Sequence, residues 1–471
     1  LKTKQSRKIK AGLLPFYLKL YDDYKPEIRN GFTEFMQQIS DVLEQRGIAV
    51  QSAPVCRVAS EFEDAVKQFE VDGVECIMTL HLAYSPSLES IDAFRATKLP
   101  VIILDITMDA GFGTGVAPGR IMYNHGVHGV MDFASMLCRY RRPFEIVAGY
   151  GGDPETQDRV VEMVRAAAAA HALRNSRVLR VGAAFPGMGD FSVDESLLNS
   201  ALGIAVDEIG LEVLDAAVET VQDDAVKKEV AVDNERFVCE LDADDHARSV
   251  RVGLGLRQLL DEGGYTACSV NFQEFNRADR PANTMPFLEI CKAMGRGTGY
   301  AGEGDVLTAA LVGALAQGFD AVTFTEIFCA DWSGGTLFLS HMGEISTSVA
   351  DGMPRVMTKP FFLGGSLDPA VLTCAVRPGP AVFVNLAPGP DDTFSLIVAP
   401  VEVLPEGDEL QPEMRDVVRT WIRPQLKVAA FLEAYSHAGG THHSALVLGD
   451  HADAVAAFGH LSGLQVVRIQ S

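Results

Sequence analysis

Between residues 9 and 175 the apolar positions alternate between two rhythms. Ile9–Leu14, Ile48–Ser52, Val74–Leu82 and Val101–Ile106 are short runs dominated by apolar and β-branched side chains. Between them, Phe32, Phe35, Ile39, Val42 and Leu43 share one face of a helix over 32–46, and a second helix spans 61–69. Short buried strands alternating with amphipathic helices predict a parallel sheet covered by helices. A long helix over 155–173 ends at Asn175-Ser176, where the first domain boundary falls. The same rhythm resumes with strands at 178–184, 267–272 and 321–326 and helices at 195–208 and 249–260. Beyond residue 330 strands dominate: 336–342, 371–376, 381–386 and 393–401, separated by turns such as Arg377-Pro-Gly-Pro. Closely spaced short strands predict an antiparallel sandwich or barrel. One helix, 452–461, precedes a last strand at 465–469. The reading is therefore two parallel α/β domains, 1–175 and 176–330, followed by a mainly antiparallel β domain, 331–471.

One stretch breaks both rhythms. Gly295-Arg-Gly-Thr-Gly-Tyr-Ala-Gly-Glu303-Gly-Asp305 is rich in glycine, which allows tight turns and close backbone approach. Leu307, Leu311, Ala314 and Leu315 follow at helical spacing, so a helix begins near Gly304 with Asp305 as N-cap. Glu303 then stands just before the positive end of that helix. Gly297-x-Gly299-x-x-Gly302 matches a dinucleotide fingerprint, but that fingerprint follows a strand, and 285–294 reads as a helix.

Composition narrows the function. The 471 residues are 47% hydrophobic and 22% charged, the balance of a globular protein with a large core. A net charge of −23 disfavours nucleic acid and anionic membranes as partners. Eight cysteines lie without a C-x-x-C pair, in the manner of free thiols in a reducing compartment. No apolar run is long enough to span a bilayer, and the basic start lacks a hydrophobic signal core, so the cytoplasm is the expected location. The charged run around Asp223-Asp224 and Lys227-Lys228-Glu229 reads as a solvated face.

Candidate chemistry gathers late in the chain. Glu303 at a helix start, Glu326 and His341 at strand ends, and the pair His442-His443 after a glycine turn could meet on one divalent ion. Carboxylate and imidazole suit Mn²⁺, Co²⁺ or Mg²⁺ better than a thiolate-rich structural zinc site. Neighbouring strand residues face opposite ways, so only one of the two adjacent histidines should reach that ion. Strand C-termini of a parallel sheet also mark His81 and the segment Asn124-His125-Gly-Val-His128-Gly as candidates.

Several segments then occur in a familiar order. They are Gly299-Tyr-Ala-Gly-Glu-Gly-Asp305 with Thr308-Ala-Ala-Leu311, Phe324-x-Glu326, Ser340-His341-Met342-x-Glu344 and Ala438-Gly-Gly-Thr-His-His443. Leu80-His81 with Ser85-Pro86, Asn124 with His128-Gly129, and Leu363-Gly-Gly365 with Asp368-Pro369 extend the pattern over nearly the whole chain. It resembles the L-arabinose isomerase family. The resemblance implies two Rossmann-like domains and a C-terminal β-barrel. It also implies an aldose–ketose isomerase working through an enediol. Glu303, Glu326, His341 and His443 would then bind a divalent metal, most simply Mn²⁺, and the two glutamates would serve as acid and base. Candidate substrate contacts are His125, His128, Met188, Phe272 and His442. The resemblance implies a homo-oligomer as well, often a hexamer of stacked trimers with sites between subunits. The chain departs from the family pattern at Leu14–Leu20 and at His125, where the resembled enzymes place glutamines that contact sugar hydroxyls.

Two other readings compete with an isomerase. A nicotinamide oxidoreductase would use Gly297, Gly299 and Gly302. A non-catalytic sugar-binding relative would keep the fold, although unused buried carboxylates are costly.

Overall fold

The computed structural model describes residues 7–362, 365–407 and 409–470. The segment Leu363-Gly364 and the first six residues lie outside the described residues. The described chain forms two compact units, residues 7–171 with 457–463, and residues 172–456 with 464–470.

In the first unit, β1 (Ile9–Phe16), β2 (Ile48–Ser52), β3 (Cys76–His81), β4 (Val101–Thr107) and β5 (Glu145–Tyr150) pair in parallel in the order β2-β1-β3-β4-β5. All of β3 is buried, Thr79 and His81 included. Helices Thr33–Gln45, Ala59–Val71, Ile91–Ala96 and Val127–Arg139 lie in the crossovers. Phe16 packs against Phe62 and Phe133, with ring centroids 4.6 and 5.2 Å away. Each such ring contributes about 1.5–3 kcal/mol by leaving water. At the end of β3, the His81 ring packs at a tilt against Phe16, centroids 4.4 Å apart, and neither ring nitrogen finds a hydrogen-bond partner. Burial pushes its pKa down to about 3.

The second unit starts with β6 (Arg177–Val181), β7 (Ala205–Ile209), β8 (Val238–Glu240), β9 (Ala267–Val270) and β10 (Gly299–Gly302). Four of these make a second parallel sheet, ordered β10-β9-β6-β7. The remaining strands are β11 (Val322–Asp331), β12 (Thr336–Ser340), β13 (Arg355–Thr358), β14 (Ala370–Thr373), β15 (Gly379–Pro388), β16 (Phe394–Val403), β17 (Thr420–Pro424), β18 (His443–Leu448) and β19 (Gln465–Arg468). The run β15-β18-β11-β12-β17-β16 is antiparallel and closes on itself through the β15–β16 pairing. The two parallel sheets and the closed six-strand barrel are the expected fold class.

Several local expectations need correction. The helix expected over 195–208 stops after a short coil of helix at Glu195–Leu197 and Leu198–Leu202, and Ala205–Ile209 is instead a strand. Gly203, at φ 79°, ends the helix, and the β-branched Ile204 and Val206 suit the strand that follows. β14 lies in a separate three-stranded sheet, β14-β13-β8, not in the barrel. β11, read from sequence with the central domain, is a barrel strand paired to β12 and β18. A further helix, Val428–His437, follows β17. The charged run is not all solvated: it lies on helix Asp223–Arg236, where Glu229 meets Arg257 at 2.6 Å and Lys292 at 2.8 Å.

Candidate active site

The glycine-rich stretch hides a strand. Residues 299–302 form β10, the edge strand beside β9, and helix Val306–Gly318 packs directly on it. At Gly299 a Cβ would lie 2.0 Å from the carbonyl oxygen of Ala309, so only glycine lets strand and helix approach this closely. Gly297 caps the preceding helix Phe287–Arg296, and Gly299 and Gly302 lie within β10, so these three glycines do not follow a strand as a dinucleotide fingerprint does. Their work is to bring Glu303 round a sharp corner. Glu303 itself has φ 54° and Gly304 φ 82°, and a Cβ at Gly304 would meet the backbone of Ala184 at 2.6 Å. A left-handed, non-glycine residue is locally strained, and such residues persist where the surroundings fix them. Here Phe185 N–H donates to the Glu303 carbonyl at 2.8 Å, and the Asp305 carboxylate caps the helix by accepting from Thr308 N–H at 2.9 Å.

The barrel supplies the other side chains by strand register. Glu326 on β11 stands opposite His443 on β18 and opposite Ser340 on β12. Directly opposed residues on an antiparallel pair project to the same face. His341 follows the last residue of β12, so Glu326, His341 and His443 gather at one end of the barrel.

Two imidazole nitrogens converge on the Glu303 carboxylate. His443 Nε2 lies 3.0 Å and His341 Nε2 3.9 Å from Glu303 Oε2. Their ligand atoms fall within 4.8 Å of one another, close enough for one metal ion. Glu303 Oε2 and His443 Nε2 are buried and lack hydrogen-bond partners; 3.0 Å apart, they are misaligned for a mutual bond. A cation would satisfy both, so the donor set fits a divalent metal with oxygen and nitrogen preferences. Glu326 sits beside this trio, its Oε2 3.9 Å from His341 Nε2.

Electrostatics separates the two glutamates. Burial pushes the Glu326 carboxyl above its ordinary range, and the nearby histidines offset this only partly. Burial acts the same way on Glu303, but contact with His443 and the charge of His341 outweigh it and hold that carboxyl low. Burial disfavours charge on His443, yet Asp305 and Glu303 flank it and push its pKa up to about 10. His341 is likewise raised against its burial, chiefly by Glu344.

The remaining sequence candidates take different places. Phe272 packs on Phe185 with centroids 5.6 Å apart and helps line a small pocket with Met285, Tyr300, Glu303 and His341. Met188 lies in the half-exposed loop between Phe185 and Asp190. The two adjacent histidines do diverge: His443 turns toward Glu303, while His442 is held by Asp190. His125 and His128 belong to the first unit, where His125 meets the Tyr21 hydroxyl at 3.2 Å and His128 is exposed. Sequence reasoning gave no site role to Tyr300 or Glu344 and saw Asp305 only as a helix cap. The i,i+3 spacing of His341 and Glu344 was the available signal.

Residues 178–318 match the family model for the L-arabinose isomerase central domain, and residues 321–465 that for the L-arabinose isomerase C-terminal domain. The chain is similar to an L-arabinose isomerase of Nocardioides sp., with 28% identity over 95% of this chain and 91% of the relative. It is similarly related to L-arabinose isomerases of Herpetosiphon aurantiacus, 26% identical over 95% and 91%, and Koribacter versatilis, 27% identical over 95% and 92%.

Proposed function

Because this chain belongs to the L-arabinose isomerase family, we propose that it is a divalent-metal-dependent isomerase of a pentose or related sugar, acting through a cis-enediol with Glu303 and Glu326 exchanging proton roles. Membership carries the coarser activity, an aldose–ketose isomerase and so an intramolecular oxidoreductase. The observation that supports the finer reading is the convergence of Glu303, His341 and His443 on one point, with Glu326 at its margin.

Glu303, His341 and His443 would hold the ion, and Mn²⁺, Co²⁺ or Mg²⁺ suits such donors. Bound there, it would supply Lewis-acid polarisation of the sugar oxygens. The chain's own groups move the hydrogen. Glu326, outside the tight trio, keeps an oxygen free to take the proton from the carbon beside the carbonyl. It returns that proton to the neighbouring carbon. Glu303 is turned by its left-handed backbone toward the same space and passes protons between the two sugar oxygens, giving one to O1 and taking one from O2. Two carboxylates in unlike surroundings can divide acid and base work in this way. Phe272, Met188 and His442 border the substrate in this reading. His125 and His128 would contribute from a neighbouring subunit of a closed homo-oligomer, the common form of symmetric assembly.

The test is chelation followed by add-back of Mn²⁺ or Co²⁺, with ketose formation followed on a panel of aldopentoses and deoxy sugars. Activity should vanish on stripping and return with metal. Full activity in an exhaustively metal-stripped sample would falsify the proposal.

A further inference from the structure

Each histidine of the trio carries a buried carboxylate on its far side. Asp305 Oδ2 lies 3.0 Å from His443 Nδ1, and Glu344 Oε2 lies 2.8 Å from His341 Nδ1. Both acids are withdrawn from solvent, Asp305 at 0% and Glu344 at 2% exposure. Neither carboxylate is free to swing. Asp305 spends its other oxygen on the cap of helix Val306–Gly318, through Thr308 N–H at 2.9 Å. Glu344 spends its other oxygen on the Tyr300 hydroxyl at 3.0 Å, and Tyr300 lies on β10, the strand that delivers Glu303.

We propose that Asp305 and Glu344 are positioning residues that fix the ring orientation and proton placement of His443 and His341. A carboxylate can only accept. Facing Nδ1, it holds the imidazole proton on that nitrogen and leaves the Nε2 lone pair for the ion. The carboxylate also fixes the ring plane, because its own second oxygen is committed to the backbone or to Tyr300. The helix cap is therefore part of the site. One aspartate ends a turn, starts a helix and aims a ligand. Burying two acids is costly unless they are paired, and both are paired here.

The inference rests on the metal reading above, and the experiment separates the two. Asp305→Asn keeps an oxygen for Thr308 N–H but turns an amide N–H₂ toward His443 Nδ1. That nitrogen must then accept, and the proton moves to Nε2, where it blocks ligation. Glu344→Gln does the same to His341 while keeping an acceptor for Tyr300. Mn²⁺ affinity is measured by electron paramagnetic resonance of the free ion, on protein whose folding is checked by circular dichroism. Each variant should bind Mn²⁺ about 10–100-fold more weakly than the unaltered chain. Turnover should recover as Mn²⁺ is raised, which a general packing defect would not allow. Should Asp305→Asn fail to fold, Glu344→Gln carries the test alone, because its acid caps no helix. Wild-type affinity in a folded variant overturns this inference and leaves the metal reading intact. An unaltered chain that binds no Mn²⁺ overturns both.

Discussion

A single carboxylate oxygen of Asp190 accepts two hydrogen bonds from His442, one from its backbone N–H at 2.9 Å and one from ring Nδ1 at 2.6 Å. The glycine-containing loop after β6 is thereby fastened to the turn that leads into β18. Phe191, next to Asp190, stacks on His443 with rings 5.4 Å apart and 11° from parallel. At its other end the loop reaches Glu303 through Phe185 N–H. Removing the tie with Asp190→Ala should loosen the loop that packs Phe191 on His443 without unfolding the domain. We expect a several-fold rise in KM for the accepted sugar and a melting temperature changed by only a few degrees, consistent with loss of partly exposed hydrogen bonds. Steady-state kinetics with calorimetry checks this, and an unchanged KM would show that the loop plays no part in binding.

Glu303 and Glu326 should separate experimentally. Glu303 supplies an oxygen to the three-ligand cluster, and Glu326 stands beside it. Glu326→Gln should retain Mn²⁺ and lose about 10²–10⁴ in kcat, the usual worth of a general acid–base group. Glu303→Gln should lose both metal and turnover. Binding by titration calorimetry alongside kinetics distinguishes them; equal Mn²⁺ loss in both variants would place Glu326 among the ligands.

The route of hydrogen transfer has its own signature. With two glutamates at the site and ligands for one ion, proton transfer through an enediol exposes the moving hydrogen to exchange. Isomerisation in D₂O should place deuterium at C1 of the ketose, seen by NMR. A product free of deuterium after many reversible turnovers would indicate an internal hydride shift and remove the acid–base role from this pair.

Away from the site, a buried ionic cluster predicts acid sensitivity. Lys292 Nζ lies 2.9 Å from Asp233 Oδ1, with both side chains at most 2% exposed, and Glu229 lies between Lys292 and Arg257. Burial alone would raise the Glu229 carboxyl, but the hydrogen bond from Arg257 and the charge of Lys292 prevail and hold it at about 2. The folded value is below the unfolded one, about 4.5. Between these values the unfolded chain binds the proton that the folded chain refuses. The stabilisation, on the order of 3 kcal/mol, is therefore complete above about pH 4.5 and lost as pH falls toward 2. Urea unfolding at stepped pH should show this slope, and Glu229→Gln should flatten it. Lys292→Met takes the ammonium from buried Asp233 and leaves it only His246 Nε2 at 3.2 Å, which should cost about 3–5 kcal/mol near neutral pH. A smaller loss would mean that Asp233 is neutralised or rehydrated.

The primary structure by itself determined the elements whose signal is local. Alternating apolar runs and amphipathic faces specified four strands of the first parallel sheet but not the more exposed edge strand β5, with Ile48–Ser52 and helix Ala452–Leu461 legible to the residue. Asp305 before Leu307 and Leu311 marked a helix start, and residue type with order marked Glu303, Glu326, His341 and His443 as chemistry. What only the tertiary structure decided depends on partners far away in the chain. Gly299–Gly302 is a strand because β9 pairs with it, and no four-residue run rich in glycine announces that. Val371 reads like a barrel strand, yet its sheet was chosen by β13 and β8. Glu229 looked solvated among charges until Arg257 and Lys292, 28 and 63 residues on, closed around it. The same holds at the site. Cross-strand register put Glu326 opposite His443, and packing of β10 on its helix turned Glu303 toward them. Propensity is set by neighbours in sequence, whereas register, burial and the partner of a carboxylate are set by contacts that exist only after the chain has folded.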